Sequence, residues 1–117
     1  MREKIKMKLI LEGLSQNYKI SQELVPTKIG RSNDCEIQVK SEFYLDVSKL
    51  HCGIYFNGKE FPRVMDYYSK CGTYINGEQI APNKKVSLKH DYKLRLGQAC
   101  EFRVCIPSMK NLWGWLR

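Results

Sequence analysis

Three short segments of the chain carry residue types that can bind a phosphate group. Arg31 has a planar, permanently charged guanidinium that can donate two parallel hydrogen bonds to phosphate oxygens. Ser48 offers a hydroxyl donor, and Lys49 beside it adds a second cation. The third segment, residues 69–72, combines a hydroxyl, a cation and a glycine. Together these groups can capture an anion without any covalent step.

The same residues do not form the constellations that catalysis requires. His51 could act as a general base, but no serine or cysteine nucleophile signature and no orienting carboxylate motif accompanies it. Cys71 follows a lysine that would lower its pKa, yet no base stands in a recognisable relation to it. We therefore expect a protein that is not an enzyme.

The cysteines do not follow the spacing of a metal site or of a disulfide framework. There is no C-x-x-C pair, no paired histidines follow, and the count is odd. We expect no cofactor and no metal, and reduced thiols of the kind found in the cytoplasm or nucleus. The five cysteines are Cys35, Cys52, Cys71, Cys100 and Cys105.

Composition indicates one globular domain with an electropositive surface. The chain has 117 residues, of which 43% are apolar, and no apolar run approaches the length of a membrane helix. Lysine and arginine number 20 against 12 acidic residues, a formal charge of +8. Such a charge favours polyanionic partners, which are nucleic acid, an anionic membrane or a phosphorylated protein. The positive residues are scattered rather than gathered in one block, so a solvated basic face is an equally good interpretation.

Short period-two segments recur along the chain and predict half-buried strands. In each, apolar residues alternate with polar ones, as in residues 7–11, 52–56, 92–96 and 102–106. Frequent turn residues separate these segments, and Asn57-Gly58 and Asn76-Gly77 are strong hairpin signals. No stretch of a dozen residues sustains a helical period. The pattern predicts an all-β fold, an antiparallel sandwich.

The order of three motifs resembles the forkhead-associated (FHA) domain, a module that captures phosphothreonine peptides. The motifs are Ile-Gly-Arg-Ser at 29–32, Ser-Lys-Leu-His at 48–51 and Gly-Thr-Tyr-Ile-Asn-Gly at 72–77. The resemblance covers roughly residues 25–106 and implies a β-sandwich of about eleven short strands. It also implies that residues 40–47 and 79–85 form loops that read the ligand beyond its phosphothreonine.

The resemblance assigns roles to individual residues. The arginine of Gly-Arg and the serine of Ser-x-x-His contact phosphate in the family, which implies those roles for Arg31 and Ser48. The complete predicted phosphopeptide-binding set is Arg31, Ser48, Lys49, Ser69, Lys70 and Cys71. A second set is expected to support the site through loop conformation and hydrogen bonds; its members are Gly30, His51, Gly72, Thr73 and Asn76.

The chain departs from the family pattern at Cys71, where asparagine is usual. That amide grips the ligand backbone with one donor and one acceptor, whereas a thiol is weak in both roles. Lys70 is placed to compensate by contacting phosphate. The stretch from Asp66 to Ser69 is also one residue longer than usual. Cys71 leaves open an alternative function, a phosphorylation-independent interaction module or scaffold with a degenerate pocket.

The expected organisation is an FHA domain at residues 1–106, followed by a tail at 107–117 that packs on the domain or begins a linker. The expected partner is a phosphorylated protein in intracellular signalling, with no membrane contact. A basic nucleic-acid-binding domain is the other alternative. The resemblance is also consistent with a module that belongs to a larger protein, such as a kinase or scaffold.

Overall fold

The computed structural model describes residues 5–13, 16–20, 26–40 and 42–109. These form eleven short strands in two sheets and one final turn of 3₁₀ helix, Pro107–Met109. The all-β sandwich predicted from the alternating pattern is therefore confirmed. The predicted tail at 107–117 lies almost entirely outside the described residues, so its packing stays a prediction.

The two sheets contain six and five strands. In spatial order, the first sheet contains β2 (Gln16–Lys19), β1 (Lys8–Leu11), β11 (Cys100–Cys105), β10 (Lys93–Leu96), β7 (Thr73–Ile75) and β8 (Glu78–Gln79). The second contains β4 (Ile37–Gln38), β3 (Thr27–Gly30), β5 (Cys52–Tyr55), β6 (Arg63–Asp66) and β9 (Val86–Ser87).

The core lies between the sheets and is built from alternate residues of the strands. On β11, for example, Phe102 and Val104 are fully buried, whereas Glu101 and Arg103 between them are only partly buried. β1 and β10 show the same alternation. Because successive side chains of a strand point to opposite faces, this is the face assignment expected from the sequence. Cys35, Cys52 and Cys100 are buried free thiols, and the last two belong to this core.

Among the strand pairs of the described residues, one is parallel rather than antiparallel. β3 and β4 run parallel, with Ile29 opposite Ile37 and Gly30 opposite Gln38. The parallel register directs the chain after β4 back across the end of β3, and the amide of Val39 donates to the carbonyl of Gly30 at 2.8 Å. The loop that follows is thereby brought to the end of the sandwich where β3 stops.

The two asparagine-glycine signals have different outcomes. Asn76 and Gly77 have φ values of 50° and 87° and join β7 to β8 as a two-residue hairpin, as predicted. Asn57-Gly58 also lies in a hairpin, since β5 and β6 pair antiparallel with Tyr55 opposite Arg63, but the connection spans residues 56–62 rather than two residues. The Asn57 side chain instead accepts the amides of Lys59 and Glu60, an Asx-type turn inside a longer loop.

No helix within the described residues is long and apolar enough to cross a membrane. Within the same ranges, no group of three or more His, Cys, Asp or Glu side chains is arranged to hold a metal ion.

Candidate functional site

The end of β3 and the segment before β5 lie side by side at one end of the sandwich. The amide of Arg31 donates to the carbonyl of Ser48 at 3.1 Å, and the amide of Ser32 to the carbonyl of Lys49 at 3.0 Å. Gly30 makes this approach possible, because a Cβ at that position would stand 2.2 Å from the Lys49 carbonyl oxygen. Two of the predicted motifs are therefore joined by their backbones.

The Arg31 side chain is held in place by the chain itself. Its Nε donates to the carbonyl of Val47, and Gln38 donates from its side-chain amide to the Arg31 carbonyl at 3.1 Å. A guanidinium carries five N–H donors. Within the part of the chain that the structure describes, the two terminal nitrogens make no hydrogen bond, so their donors are open to other partners. The arginine thus has a defined direction and a free charged end.

Ser48 connects this segment to the loop between β6 and β7. The backbone amide of Lys70 donates to the Ser48 hydroxyl oxygen at 3.0 Å. Since the oxygen acts as acceptor there, the hydroxyl hydrogen stays available to a ligand. The carbonyl of Lys49 points inward and also accepts a hydrogen bond from the Cys35 thiol at 3.3 Å. The side chain of Lys49 is exposed.

His51 ties the same two loops together from below. Its Nδ1 accepts the backbone amide of Ser48 at 3.0 Å, and its Nε2 lies 2.9 Å from the carbonyl of Gly72. Because Nδ1 is an acceptor, the neutral ring must carry its proton on Nε2 and donate it to Gly72. The ring is fully buried, and this burial lowers the pKa of His51, opposed by the Gly72 hydrogen bond and by Asp66.

Asp66 organises the loop between β6 and β7. The buried carboxylate accepts the hydroxyls of Thr73 at 2.6 Å and Ser69 at 2.5 Å, and also the amide of Ser69 at 3.1 Å. The Ser69 hydroxyl oxygen in turn accepts the amide of Gly72 at 3.0 Å. Gly72 has a φ of +88°, a conformation that strongly favours glycine. The loop is therefore fixed by its own hydrogen bonds.

Tyr67 and Tyr68 follow Asp66 in this loop. Tyr68 adopts a φ of 54° and is 72% exposed. Tyr67 lies over Gly53, where a Cβ would stand 2.0 Å from the phenol oxygen, and its hydroxyl is 2.8 Å from that of Tyr55. Burial, followed by the Tyr55 hydrogen bond, raises the pKa of Tyr67. This packing explains why Gly53 is buried, although its strand position faces outward.

The loops enclose an open depression of about 620 Å³. Three of its lining residues carry positive side chains, and its one carboxylate, Asp46, accepts the amide of Gln98 at 2.6 Å. Leu45 is 78% exposed at its edge. The depression is therefore positively charged with an apolar margin. Its lining residues are Arg31, Leu45, Asp46, Val47, Ser48, Lys49, Lys70 and Cys71.

Five of the six predicted ligand-binding residues line this depression; Ser69 does not, since its hydroxyl is engaged with Asp66. Of the predicted supporting residues, Gly30 and His51 contact the backbones of the lining residues Lys49 and Ser48. Gly72 follows the lining residue Cys71 and accepts from His51, and Thr73 is bonded to Asp66. Asn76 belongs to the β7–β8 turn, where its side-chain oxygen accepts the amide of Lys93 at 2.9 Å. Asp46 and Leu45 lie in residues 40–47, which the family resemblance implies to be a ligand-reading loop, but no motif marks either residue individually.

Comparison with known proteins extends this description. A family model of the FHA domain matches residues 27–97, more than half of the 117-residue chain. No curated protein sequence matches the chain significantly.

Solved structures share the fold. A Mycobacterium tuberculosis EmbR structure in complex with a low-affinity phosphopeptide is 25% identical, with a TM-score of 0.73 over 86% of this chain and 24% of that one. The N-terminal FHA domain of Saccharomyces cerevisiae Rad53p, in complex with a phosphothreonine peptide, is 16% identical, with a TM-score of 0.75 over 93% and 99%. An FHA domain studied for phosphothreonine-dependent interactions is 24% identical, with a TM-score of 0.74 over 86% and 96%.

FHA domains are recognition modules rather than enzymes, and their fold typically binds phosphothreonine peptides. The family-model match over residues 27–97 establishes that this chain belongs to the FHA domain family.

Proposed function

We propose that this domain binds phosphothreonine-containing segments of partner proteins at the depression between its loops. The observation that carries the proposal is the convergence of Arg31, Ser48, Lys49 and Lys70 around one opening. The family's usual ligand supports the same assignment. The partner is then a phosphorylated protein, and the role is recognition in signalling rather than catalysis.

The donors suit a phosphate group in number and in charge. A phosphothreonine side chain carries about −1.5 to −2 charges and three acceptor oxygens. The free end of Arg31 can take two of these oxygens, and the Ser48 hydroxyl can donate to the third. Lys49 and Lys70 add positive charge, and the lining carboxylate of Asp46 is already hydrogen-bonded to a backbone amide.

The site is fixed before a ligand arrives, which reduces the entropic cost of binding. Arg31 is anchored on Val47, Ser48 on Lys70, and both loops on the buried ring of His51. A charged group held in this way binds an anion without reorganising its surroundings. We therefore expect recognition to depend on the phosphate rather than on the partner's overall acidity.

The experiment is an oriented peptide library with a fixed phosphothreonine, screened over the immobilised domain. The selected peptide is then titrated beside its phosphoserine and unphosphorylated forms. Binding of the phosphothreonine peptide alone, or far above the others, is the expected result. Equal binding of the phosphorylated and plain peptides would instead support the phosphorylation-independent module, which the thiol at Cys71 favours.

A further inference from the structure

A side-chain amide from a different strand lies against Gly72, the residue that follows Cys71. Gln79 lies on β8, and a Cβ built on Gly72 would be 2.7 Å from Gln79 Nε2 and 3.2 Å from its Cδ. The Gln79 carboxamide thus fills the space that a side chain at position 72 would need. The carboxamide therefore lies next to the loop that carries Lys70 and Cys71.

This carboxamide is not engaged by the rest of the described chain. Gln79 is exposed, and its backbone pairs with Tyr74 in the β7–β8 hairpin. The Tyr74 ring lies beside it and is in turn covered by the Arg95 guanidinium, 4.1 Å from the ring centroid. Among the hydrogen bonds of the described residues none involves the Gln79 side chain, so its donors and its acceptor are available.

A peptide that crosses the rim of the depression brings polar backbone groups with it. Its N–H and C=O groups lose water on binding, and each one left unpaired weakens the complex. The Cys71 thiol, which lines the depression, is a weak donor and a weak acceptor. A carboxamide supplies one strong acceptor and two donors, which matches the alternating groups of a peptide backbone.

We propose that Gln79 binds the main chain of the phosphopeptide and so supplies from β8 the amide that position 71 lacks. The inference rests on the proposed phosphopeptide function and adds a ligand-contacting residue to it. Gly72 has a second role in this account, because its missing side chain leaves room for the Gln79 carboxamide.

The test uses Gln79→Met, which keeps the length of the side chain and removes its hydrogen-bonding groups. The probe is the tightest phosphothreonine peptide selected from the oriented library, titrated by calorimetry. We expect the variant to bind about fivefold more weakly, the loss of one ordinary hydrogen bond. The slope of affinity against salt should not change, because no charge is altered. Glu78→Gln, on the same two-residue strand, is the control and should bind within about twofold of the parent chain.

A second measurement separates ligand contact from a structural effect on the hairpin. Peptides in which single backbone amides are replaced by esters lack one N–H donor each. At the position that Gln79 contacts, an ester should weaken the parent chain but leave Gln79→Met unaffected. Equal affinity of Gln79→Met and the parent chain for the all-amide peptide would overturn the role of Gln79. So would a loss that is the same for every ester. If the parent chain binds no phosphopeptide, the proposed function itself fails, and the role of Gln79 with it.

Discussion

Gly30 lies against the backbone of Lys49, so close that a Cβ on Gly30 would stand 2.2 Å from the Lys49 carbonyl oxygen and 2.7 Å from its carbonyl carbon. The obstruction is backbone, which cannot rotate away as a flexible side chain can. The glycine therefore sets the distance between the strand that presents Arg31 and the segment that presents Ser48. Glycine is required at position 30 because it has no side chain, and not because of an unusual φ.

Gly30→Ala should consequently damage both stability and the site. Forcing a methyl into this contact should lower the free energy of unfolding by about 1 to 3 kcal/mol, the usual cost of overpacking. Gly77→Ala is a contrasting variant, because no atom lies within 4 Å of its Cβ position but its φ of +87° disfavours alanine, so any loss there is backbone strain without a steric contact. Urea unfolding measures both. A Gly30→Ala chain as stable as the parent would show that the close approach is unimportant.

The buried ring of His51 predicts a specific pH dependence. Burial lowers the pKa of folded His51 below its ordinary value of 6.5, so the unfolded chain takes up a proton first as the pH falls. The free energy of unfolding should therefore decrease from pH 6.5 down to the folded pKa, and should be insensitive to this group above that range. Protonation at Nδ1 would also displace the amide of Ser48.

His51→Ala should lower the free energy of unfolding at pH 7.5 by about 1 to 3 kcal/mol, since it leaves buried backbone groups unpaired. Urea unfolding at pH 7.5 and 5.5 checks both statements. The difference between the two pH values should be smaller for His51→Ala than for the parent chain. An unchanged melting temperature of the variant at pH 7.5 would contradict the structural role of His51.

The strand faces and the site loops could be predicted because they depend on local pattern. Alternation alone places Phe102 and Val104 in the core, and Asn76-Gly77 forms the hairpin that its dihedral preferences require. The motif order likewise brings Arg31 and Ser48 into one depression.

The features that were missed depend on contacts between residues distant in sequence. Gly53 is buried because Tyr67, from the next strand's end, lies over it. Asp46 is oriented by the amide of Gln98, which is 52 positions away. Asn57-Gly58 lies in the hairpin between β5 and β6, but the Asn57 side chain bonds within a longer loop, so the turn is not the two-residue one that its composition predicts. A pattern of neighbouring residues in the sequence cannot predict such contacts.

Restoring an amide at position 71 should strengthen the site. The side chain of Cys71→Asn would offer a donor and an acceptor to the ligand backbone. We expect a gain of about 1 kcal/mol in binding free energy, near fivefold in affinity, for phosphothreonine peptides of any sequence. The salt dependence should stay nearly the same, because no charge is added. If Gln79 already serves part of this role, the gain should be larger in a chain that also carries Gln79→Met. Peptide affinities at two salt concentrations test these statements, and no gain in either background would refute the account of Cys71.

Phosphate binding at this site depends first on Arg31, and a comparison of Arg31→Ala with Arg63→Ala tests that role. Arg63 is exposed on β6 and does not line the depression, so its removal subtracts the same charge from another surface. Both variants should fold as the parent chain does, which thermal unfolding verifies.

The measurement is the calorimetric affinity of each variant for the selected phosphothreonine peptide. Arg31→Ala should lose about 2 to 5 kcal/mol of binding free energy, roughly thirtyfold or more in Kd, because it removes one side of a charge-assisted pair. Arg63→Ala should stay within about twofold of the parent chain. Equal affinity of Arg31→Ala and the parent chain would contradict phosphate capture at this site.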